Sequence, residues 1–233
     1  MKRKLLILFF LPLLGCSQDY KNLSPIEFKS SFEKNNGIIL DVRTPEELKS
    51  GIIEGASTID FYDDNFKKKI SKIQKDKVVY VYCRSGGRSS KAARLLLESG
   101  QEDVINLNGG IMAWKNSGYP LLKMVNKIDE NIQSFTETQF KEILYENNLV
   151  LVDFHTLWCV PCRKMSPVVD ELEKKYINKI HISRVDIDKS EDLANKFKIN
   201  SVPTFILFKD NREIWRKTGM MPKNDLVKIL DKN

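Results

Sequence analysis

Short apolar runs alternate with helix-like segments in both halves of this 233-residue chain. In the first half, IILDV at 38–42 and VVYVY at 78–82 are rich in β-branched residues and bounded by polar turns, as buried parallel strands are. Between the halves, residues 123–133 are polar with scattered apolar positions and read as a linker. We therefore predict two α/β domains.

Helix boundaries in the first half carry strong local signals. A helix is predicted from Ser24 as N-cap, with Pro25 at its first position and Glu27 at its third, to Gly37. A second is predicted over 89–100, followed by a strand and turn at 104–110.

The second half begins near Ser134, and no internal repeat relates it to the first half. The strand at 149–155 is expected to be buried, and the helix at 159–176 contains Pro167, where a kink is expected. The remaining predicted elements are a helix at 136–148, a strand at 180–188, two strands within 201–219 joined by a turn at Asp210-Asn211, and a closing helix at 224–230.

The net charge of +7 does not indicate nucleic-acid binding. Lys2, Arg3 and Lys4 contribute three of these charges, and no basic face interleaved with aromatic residues is evident in the rest of the chain. We expect no nucleic-acid partner.

The N-terminal residues have the pattern of an export signal, with the basic residues 2–4 followed by the apolar stretch Leu5 to Leu14. An uncleaved membrane helix is disfavoured, because this stretch is too short for a hydrocarbon core of ~30 Å. LLGC at 13–16 resembles the lipobox of bacterial lipoproteins, although Leu14 stands where a small residue is usual. The resemblance implies that Cys16 is the lipidated mature N-terminus and that the protein is extracytoplasmic, on the periplasmic face of the inner or outer membrane.

The four cysteines are Cys16, Cys83, Cys159 and Cys162. An even number in an exported protein would also fit two structural disulfides. The spacing favours another assignment, because Cys159 and Cys162 form a C-x-x-C pair and Cys16 is expected to be lipidated. Cys83 is then a free thiol, which persists in an oxidising compartment only if it is shielded or used.

Cys83 lies where an apolar strand gives way to a glycine-containing loop and a helix. The loop glycines allow backbone N–H groups to turn towards the sulfur, Ser89 can cap the following helix, and the positive end of that helix favours a thiolate. The alternative, a buried packing residue, does not require two glycines and two arginines nearby. The residues of the predicted anion-binding loop are Arg84, Ser85, Gly86, Gly87 and Arg88.

This loop and its flanking segments resemble the rhodanese domain. The resemblance covers essentially residues 23–122, and the domain is assigned to residues 17–122. The resemblance implies that Cys83 carries a sulfane sulfur as a persulfide, and that Asp41 and Arg43 form a structural pair. Four residues separate Cys83 from Arg88, as in sulfurtransferases, whereas related phosphatases have one more. The family's common histidine is replaced by Ile52, a position that is usually structural.

In the second half, Cys159 is predicted at a strand-to-helix junction with Cys162 one turn into the helix. The helix dipole lowers the pKa of the first thiol, and the spacing places the second sulfur within bonding reach. Cys159 is therefore expected to attack a disulfide and Cys162 to resolve the mixed disulfide. A zinc site is disfavoured because the only histidines, His155 and His181, are too scattered; we expect neither a metal nor a cofactor.

Residues 134–233 resemble thioredoxin-fold oxidoreductases. The resemblance implies that Asp153 relays protons to the resolving thiol, that Val202-Pro203 is a cis peptide facing the C-x-x-C pair, and that Gly219 lies where substrate approaches. His155 replaces a usual aromatic residue, and Val160 replaces glycine before Pro161, which leaves the redox direction open. The supporting residues of the predicted site are Asp153, Trp158, Pro161 and Pro203.

Three hypotheses for function follow. In the first, an extracytoplasmic thiol-disulfide oxidoreductase with a persulfide-carrying sulfurtransferase domain reduces protein disulfides or persulfides and is re-reduced by an external dithiol donor. In the second, the first domain is a non-catalytic binding module beside a general disulfide reductase. In the third, the protein is an oxidative folding catalyst. The reduction potential of the Cys159–Cys162 couple decides between oxidation and reduction, and tens of millivolts suffice because ~30 mV corresponds to ~1.4 kcal/mol.

Overall fold

The computed structural model describes residues 20–123 and 134–233. The expected signal segment, Cys16 and nearly all of the expected linker 123–133 lie outside the described residues. Within the described ranges, none of the helices combines the length and apolar character that crossing a membrane requires.

The first domain is built on a five-stranded, all-parallel sheet with strand order β1-β5-β4-β2-β3. This order confirms the predicted parallel α/β architecture. Its strands are β1 (Lys21–Leu23), β2 (Ile38–Asp41), β3 (Ala56–Thr58), β4 (Val79–Tyr82) and β5 (Val104–Leu107), and its helices are α1 (Pro25–Asn35), α2 (Pro45–Leu48), α3 (Phe66–Ser71), α4 (Gly87–Glu98) and α5 (Gly110–Asn116).

The start of helix α1 is confirmed and its end differs slightly from the prediction. The Ser24 hydroxyl accepts from the Glu27 N–H, and the Glu27 carboxylate accepts from the Ser24 N–H, which forms the predicted capping box. The left-handed residue that ends the helix is Asn36 (φ 46°) and not Gly37. Gly37 is required for another reason, because a Cβ there would lie 2.4 Å from the Val78 carbonyl oxygen.

The second domain has a four-stranded mixed sheet with order β7-β6-β8-β9, in which only β6 and β7 are parallel. Asp210 and Asn211 both have positive φ, as the predicted tight turn requires. Its strands are β6 (Leu149–His155), β7 (His181–Asp186), β8 (Thr204–Lys209) and β9 (Arg212–Thr218), and its helices are α6 (Glu137–Glu146), α7 (Val160–Lys175), α8 (Glu191–Lys196) and α9 (Lys223–Lys232).

Each sheet packs helices on both faces, and one apolar cluster runs through both domains. On β4, Val79 and Val81 face that shared cluster, whereas Tyr80 and Tyr82 face a separate cluster within the first domain. The shared cluster also contains Trp158 and Val202 of the second domain. The C-x-x-C region is thus buried against the first domain.

Candidate active site

Cys83 follows β4 directly and is only 1% exposed. Its sulfur accepts hydrogen bonds from the Gly86 N–H at 3.1 Å and from the Ser89 hydroxyl at 3.4 Å. Gly86 has φ 104°, a conformation that favours glycine, and it caps helix α4. The sulfur therefore lies at the N-terminal end of that helix, as predicted.

Ser89 has a different role from the one predicted. Helix α4 begins at Gly87 with Gly86 as N-cap, so Ser89 lies inside the first turn and is not the cap. There its hydroxyl donates towards the Cys83 sulfur and the Gly86 carbonyl oxygen. The start moves because Gly86 supplies the left-handed cap without a side chain.

The surroundings of Cys83 favour its thiolate. Burial on its own raises the pKa of the Cys83 thiol, because a charged sulfur loses hydration. Hydrogen bonds from the Ser89 hydroxyl and from the N–H groups of Ser89, Ser85 and Gly86 outweigh burial, so the pKa of Cys83 lies below its ordinary value. More of this thiol is ionised near neutral pH than of a free cysteine.

The start of helix α5 also holds the Cys83 loop, a contact that the sequence did not predict. The Ile111 N–H donates to the Cys83 carbonyl oxygen at 2.9 Å, and the Met112 N–H donates to that of Arg84 at 3.1 Å. A Cβ on Gly110 would lie 2.5 Å from the Cys83 carbonyl oxygen. Gly110 is thus needed for helix α5 to approach the Cys83 loop.

The two loop arginines differ in their surroundings. Arg84 is exposed, whereas Arg88 donates two 2.7 Å hydrogen bonds to the Glu47 carboxylate on helix α2. The hydrogen bonds from Arg88 are the main reason that the pKa of Glu47 falls to about 2. Arg88 also lies over the Tyr62 ring, 5.7 Å from its centroid. Glu47 and Tyr62 were missed from the sequence because they lie on separate elements.

Asp41 and Arg43 form the structural pair that the rhodanese resemblance implied. The Arg43 Nη2 atom donates to an Asp41 carboxylate oxygen at 2.6 Å and to the Gly51 carbonyl oxygen at 2.8 Å. Asp41 is 0% and Arg43 is 2% exposed. This pair ties the end of β2 to the segment after helix α2.

The second sulfur centre lies at the junction of β6 and helix α7. Cys159 is the N-cap of the helix, its sulfur accepts from the Cys162 N–H at 3.2 Å, and Pro161 lies in the first turn. A disulfide joins Cys159 and Cys162. The predicted position and spacing of the pair are therefore present, with the first sulfur at the positive end of the helix.

The residues flanking this disulfide are placed largely as the thioredoxin resemblance implied. The Trp158 indole N–H donates to the Asp188 carboxylate at 2.9 Å, a partner that the sequence did not reveal. Val202-Pro203 is a cis peptide bond, and the Gly219 N–H donates to the Pro203 carbonyl oxygen at 2.8 Å.

Asp153 and His155 lie on the face of β6 that packs towards helix α7, because they are two and four residues after Leu151, which packs against that helix. A His155 ring nitrogen is 3.6 Å from an Asp153 carboxylate oxygen, and both side chains are buried. Burial lowers the pKa of His155, but Asp153 and the charge of Asp186 raise it above its ordinary value. The buried carboxylate therefore has a protonatable neighbour.

Comparison with known proteins finds relatives of the second domain and a family match for each domain. Residues 131–232 match the family model Thioredoxin. Thioredoxin C-2 of Corynebacterium nephridii is 36% identical over 110 residues, which span 47% of this chain and 95% of that protein. Thioredoxin 1 of Synechococcus elongatus is 37% identical over 99 residues, spanning 42% and 92% of the respective chains.

The chain belongs to the thioredoxin family. Residues 24–117 match the family model Rhodanese-like domain, so the predicted order of the two domains is confirmed. Among solved structures, mitochondrial thioredoxin 3 of Saccharomyces cerevisiae in its oxidised form is 29% identical, with a TM-score of 0.41, and the match covers 44% of this chain and 95% of that one. A thioredoxin-type domain implies protein disulfides as substrates and a reductant that regenerates the dithiol.

Cys83 does not line the cavity beside the second sulfur centre. A small cavity beside Cys159 is lined from the thioredoxin domain by Trp158, Pro161 and Val202, and from the rhodanese-like domain by residues that do not include Cys83. Across residues 20–123 and 134–233, no cluster of His, Cys, Asp and Glu side chains is arranged to hold a metal ion.

Proposed function

We propose that this protein is an extracytoplasmic thiol-disulfide oxidoreductase whose rhodanese-like domain carries sulfane sulfur on Cys83 and whose thioredoxin domain reduces disulfides or persulfides through Cys159 and Cys162. The observation that carries the proposal is the placement of both reactive sulfurs at helix N-termini, each accepting a backbone N–H. Such positions stabilise thiolates, which are the attacking species in sulfur and disulfide exchange.

The sulfurtransferase half-reaction follows from the Cys83 loop. The Cys83 thiolate attacks the sulfane sulfur of a donor such as thiosulfate, a sulfur–sulfur bond breaks, and sulfite leaves with the bonding electron pair. The product is a persulfide on Cys83. Its terminal sulfur carries negative charge at neutral pH, and the exposed Arg84 and the N-terminus of helix α4 favour an anion at this position.

The reductive half-reaction uses the dithiol of the thioredoxin domain. The Cys159 thiolate attacks one sulfur of a protein disulfide, or the sulfane sulfur of a persulfide, and the other sulfur leaves as a thiolate. Cys162 then attacks Cys159, so that a Cys159–Cys162 disulfide forms and the substrate leaves as a thiol or as hydrogen sulfide. The dithiol loses two electrons and two protons, which an external dithiol donor restores.

A second candidate is a general disulfide reductase in which the rhodanese-like domain is a binding module. It is favoured by the contact that this domain makes with the thioredoxin domain beside Cys159 and by the absence of Cys83 from the cavity lining there. In that case Cys83 would form no persulfide.

The test is persulfide trapping on the full-length protein. After incubation with thiosulfate, we expect the Cys83 peptide to gain one sulfur atom by mass spectrometry, both in the wild type and in Cys159→Ser. Sulfide release is expected to require both cysteines. Failure to label Cys83 would favour the binding module, and unchanged sulfide release in Cys159→Ser would exclude coupling between the domains.

Membrane anchoring through Cys16 is part of the proposal and rests on the sequence LLGC at 13–16. In the native bacterial host we expect the protein in the membrane fraction, labelled by palmitate, and Cys16→Ala to be unlabelled and released from that fraction. Equal palmitate labelling of the wild type and the variant would contradict lipidation at this cysteine.

A further inference from the structure

The rhodanese-like domain makes backbone-level contact with the start of the catalytic helix α7. The Ser57 hydroxyl oxygen on β3 accepts from the Val160 N–H at 3.0 Å. The Thr58 N–H donates to the Trp158 carbonyl oxygen at 3.4 Å. These bonds fall on the two residues that flank Cys159, so β3 lies directly beside the reactive sulfur.

The segment after helix α3 contacts the loop that contains the cis proline. The Val202 N–H donates to the Lys72 carbonyl oxygen at 3.2 Å, and the Val202 carbonyl oxygen accepts from the Gln74 side-chain amide at 3.3 Å. A Cβ on Gly219 would lie 3.1 Å from the Gln74 amide oxygen, so the absence of a side chain at Gly219 leaves room for Gln74. The N–H and the carbonyl group of Val202 are thus both hydrogen-bonded to the rhodanese-like domain, as a bound substrate strand would bond them.

These contacts close the site. Cys159 is 3% exposed, and the cavity beside it measures about 10 Å³. Such a volume holds about one water molecule and excludes a disulfide carried on a folded protein. The domains must therefore separate before a protein disulfide can reach Cys159.

We propose that the rhodanese-like domain acts as an intramolecular pseudo-substrate. It covers the substrate-binding face of the thioredoxin domain, and opening of the interface exposes that face to a protein disulfide. The proposal deepens the function proposed above and rests on it for the identity of the reacting sulfur. The closed state is held by these hydrogen bonds, by the exposed ion pair Lys68–Glu191, and by the apolar contacts of Trp158 and Val202 in the shared cluster. The polar contacts can be exchanged for contacts with water when the domains move apart, as at other interfaces between domains of one chain.

The ion pair provides a test that leaves both cores intact. Lys68 lies on helix α3 of the rhodanese-like domain and Glu191 on helix α8 of the thioredoxin domain. Lys68→Glu turns the attraction into repulsion, and the double variant Lys68→Glu with Glu191→Lys restores the pair with reversed charges. Lys67 is the matched control, because it is exposed on the same helix and Lys67→Glu makes the same change in charge.

The measurement is the rate at which iodoacetamide alkylates Cys159 in the reduced full-length protein, followed by mass spectrometry of its peptide. We expect an increase of about fivefold for Lys68→Glu, wild-type rates for Lys67→Glu, and a return towards the wild-type rate in the double variant. Gln74→Glu places a carboxylate against the Val202 carbonyl oxygen and should increase the rate about tenfold or more.

Insulin reduction by the same variants separates the closed state from the proposed function. Equal alkylation rates in the wild type, Lys67→Glu and Lys68→Glu would overturn the closed state, even if all of them reduce insulin. The expected order of alkylation rates without any insulin reduction would support the closed state and contradict the proposed oxidoreductase function.

Discussion

Replacing Cys159 with serine should lower the rate of insulin reduction by about 10³-fold or more, because it removes the attacking thiolate and a serine hydroxyl is not ionised at neutral pH. The geometry singles out this sulfur, since Cys159 caps helix α7 and accepts the Cys162 N–H at 3.2 Å. The rate is measured by insulin precipitation with the purified full-length protein and an excess of dithiol.

Cys162→Ser provides the informative contrast, because it keeps the attacking sulfur and removes the resolving one. This variant should form a mixed disulfide with insulin that persists on non-reducing gels, whereas Cys159→Ser should form none at this site. Insulin reduction at the wild-type rate by Cys159→Ser, or a stable adduct through Cys162 in its place, would contradict the assigned roles.

The parts of the fold that the sequence predicted are those specified by local chemistry. Ser24, Pro25 and Glu27 lie within one helical turn and fix the start of helix α1 without help from the rest of the chain. Cys159 and Cys162 likewise lie within one turn, so their spacing alone places the two sulfurs together. Such signals depend only on residues that are neighbours in the sequence, so they can be recognised before the tertiary structure is known.

The partners that the sequence did not reveal are separated widely along the chain. Arg88 and Glu47 are 41 residues apart, and Trp158 and Asp188 are 30 residues apart. Both pairs form because parallel strands bring the loops at their carboxyl ends to one edge of a sheet. The register of those strands, and not any local sequence pattern, decides which side chains meet at that edge.

The contact between the two domains could not be predicted from the sequence, for a similar reason. Ser57 and Gln74 carry no motif, and their significance arises only because β3 and the segment after helix α3 face the thioredoxin domain. The family resemblance links Gly219 to substrate approach, but nothing in the sequence indicates that this chain's own Gln74 lies against it.

Arg43→Ala is expected to destabilise the rhodanese-like domain by about 3–5 kcal/mol, because it leaves the buried Asp41 carboxylate without its counter-charge. Such a loss is a large fraction of the stability of an ordinary domain. Native-state hydrogen exchange at the amides of β2 and β4 measures it, since these strands form the centre of the sheet and report on this domain separately from the thioredoxin domain.

The matched control is Lys29→Ala, which removes one partner of the exposed Lys29–Glu33 pair in the same domain and should leave the stability of the domain almost unchanged. A double variant, Asp41→Ala with Arg43→Ala, distinguishes a charge effect from lost packing. If the unpaired carboxylate is the main cost, the double variant is more stable than Arg43→Ala alone. If it is less stable, the large effect comes from the packing and hydrogen bonds of the two side chains, and the explanation by an uncompensated buried charge is wrong.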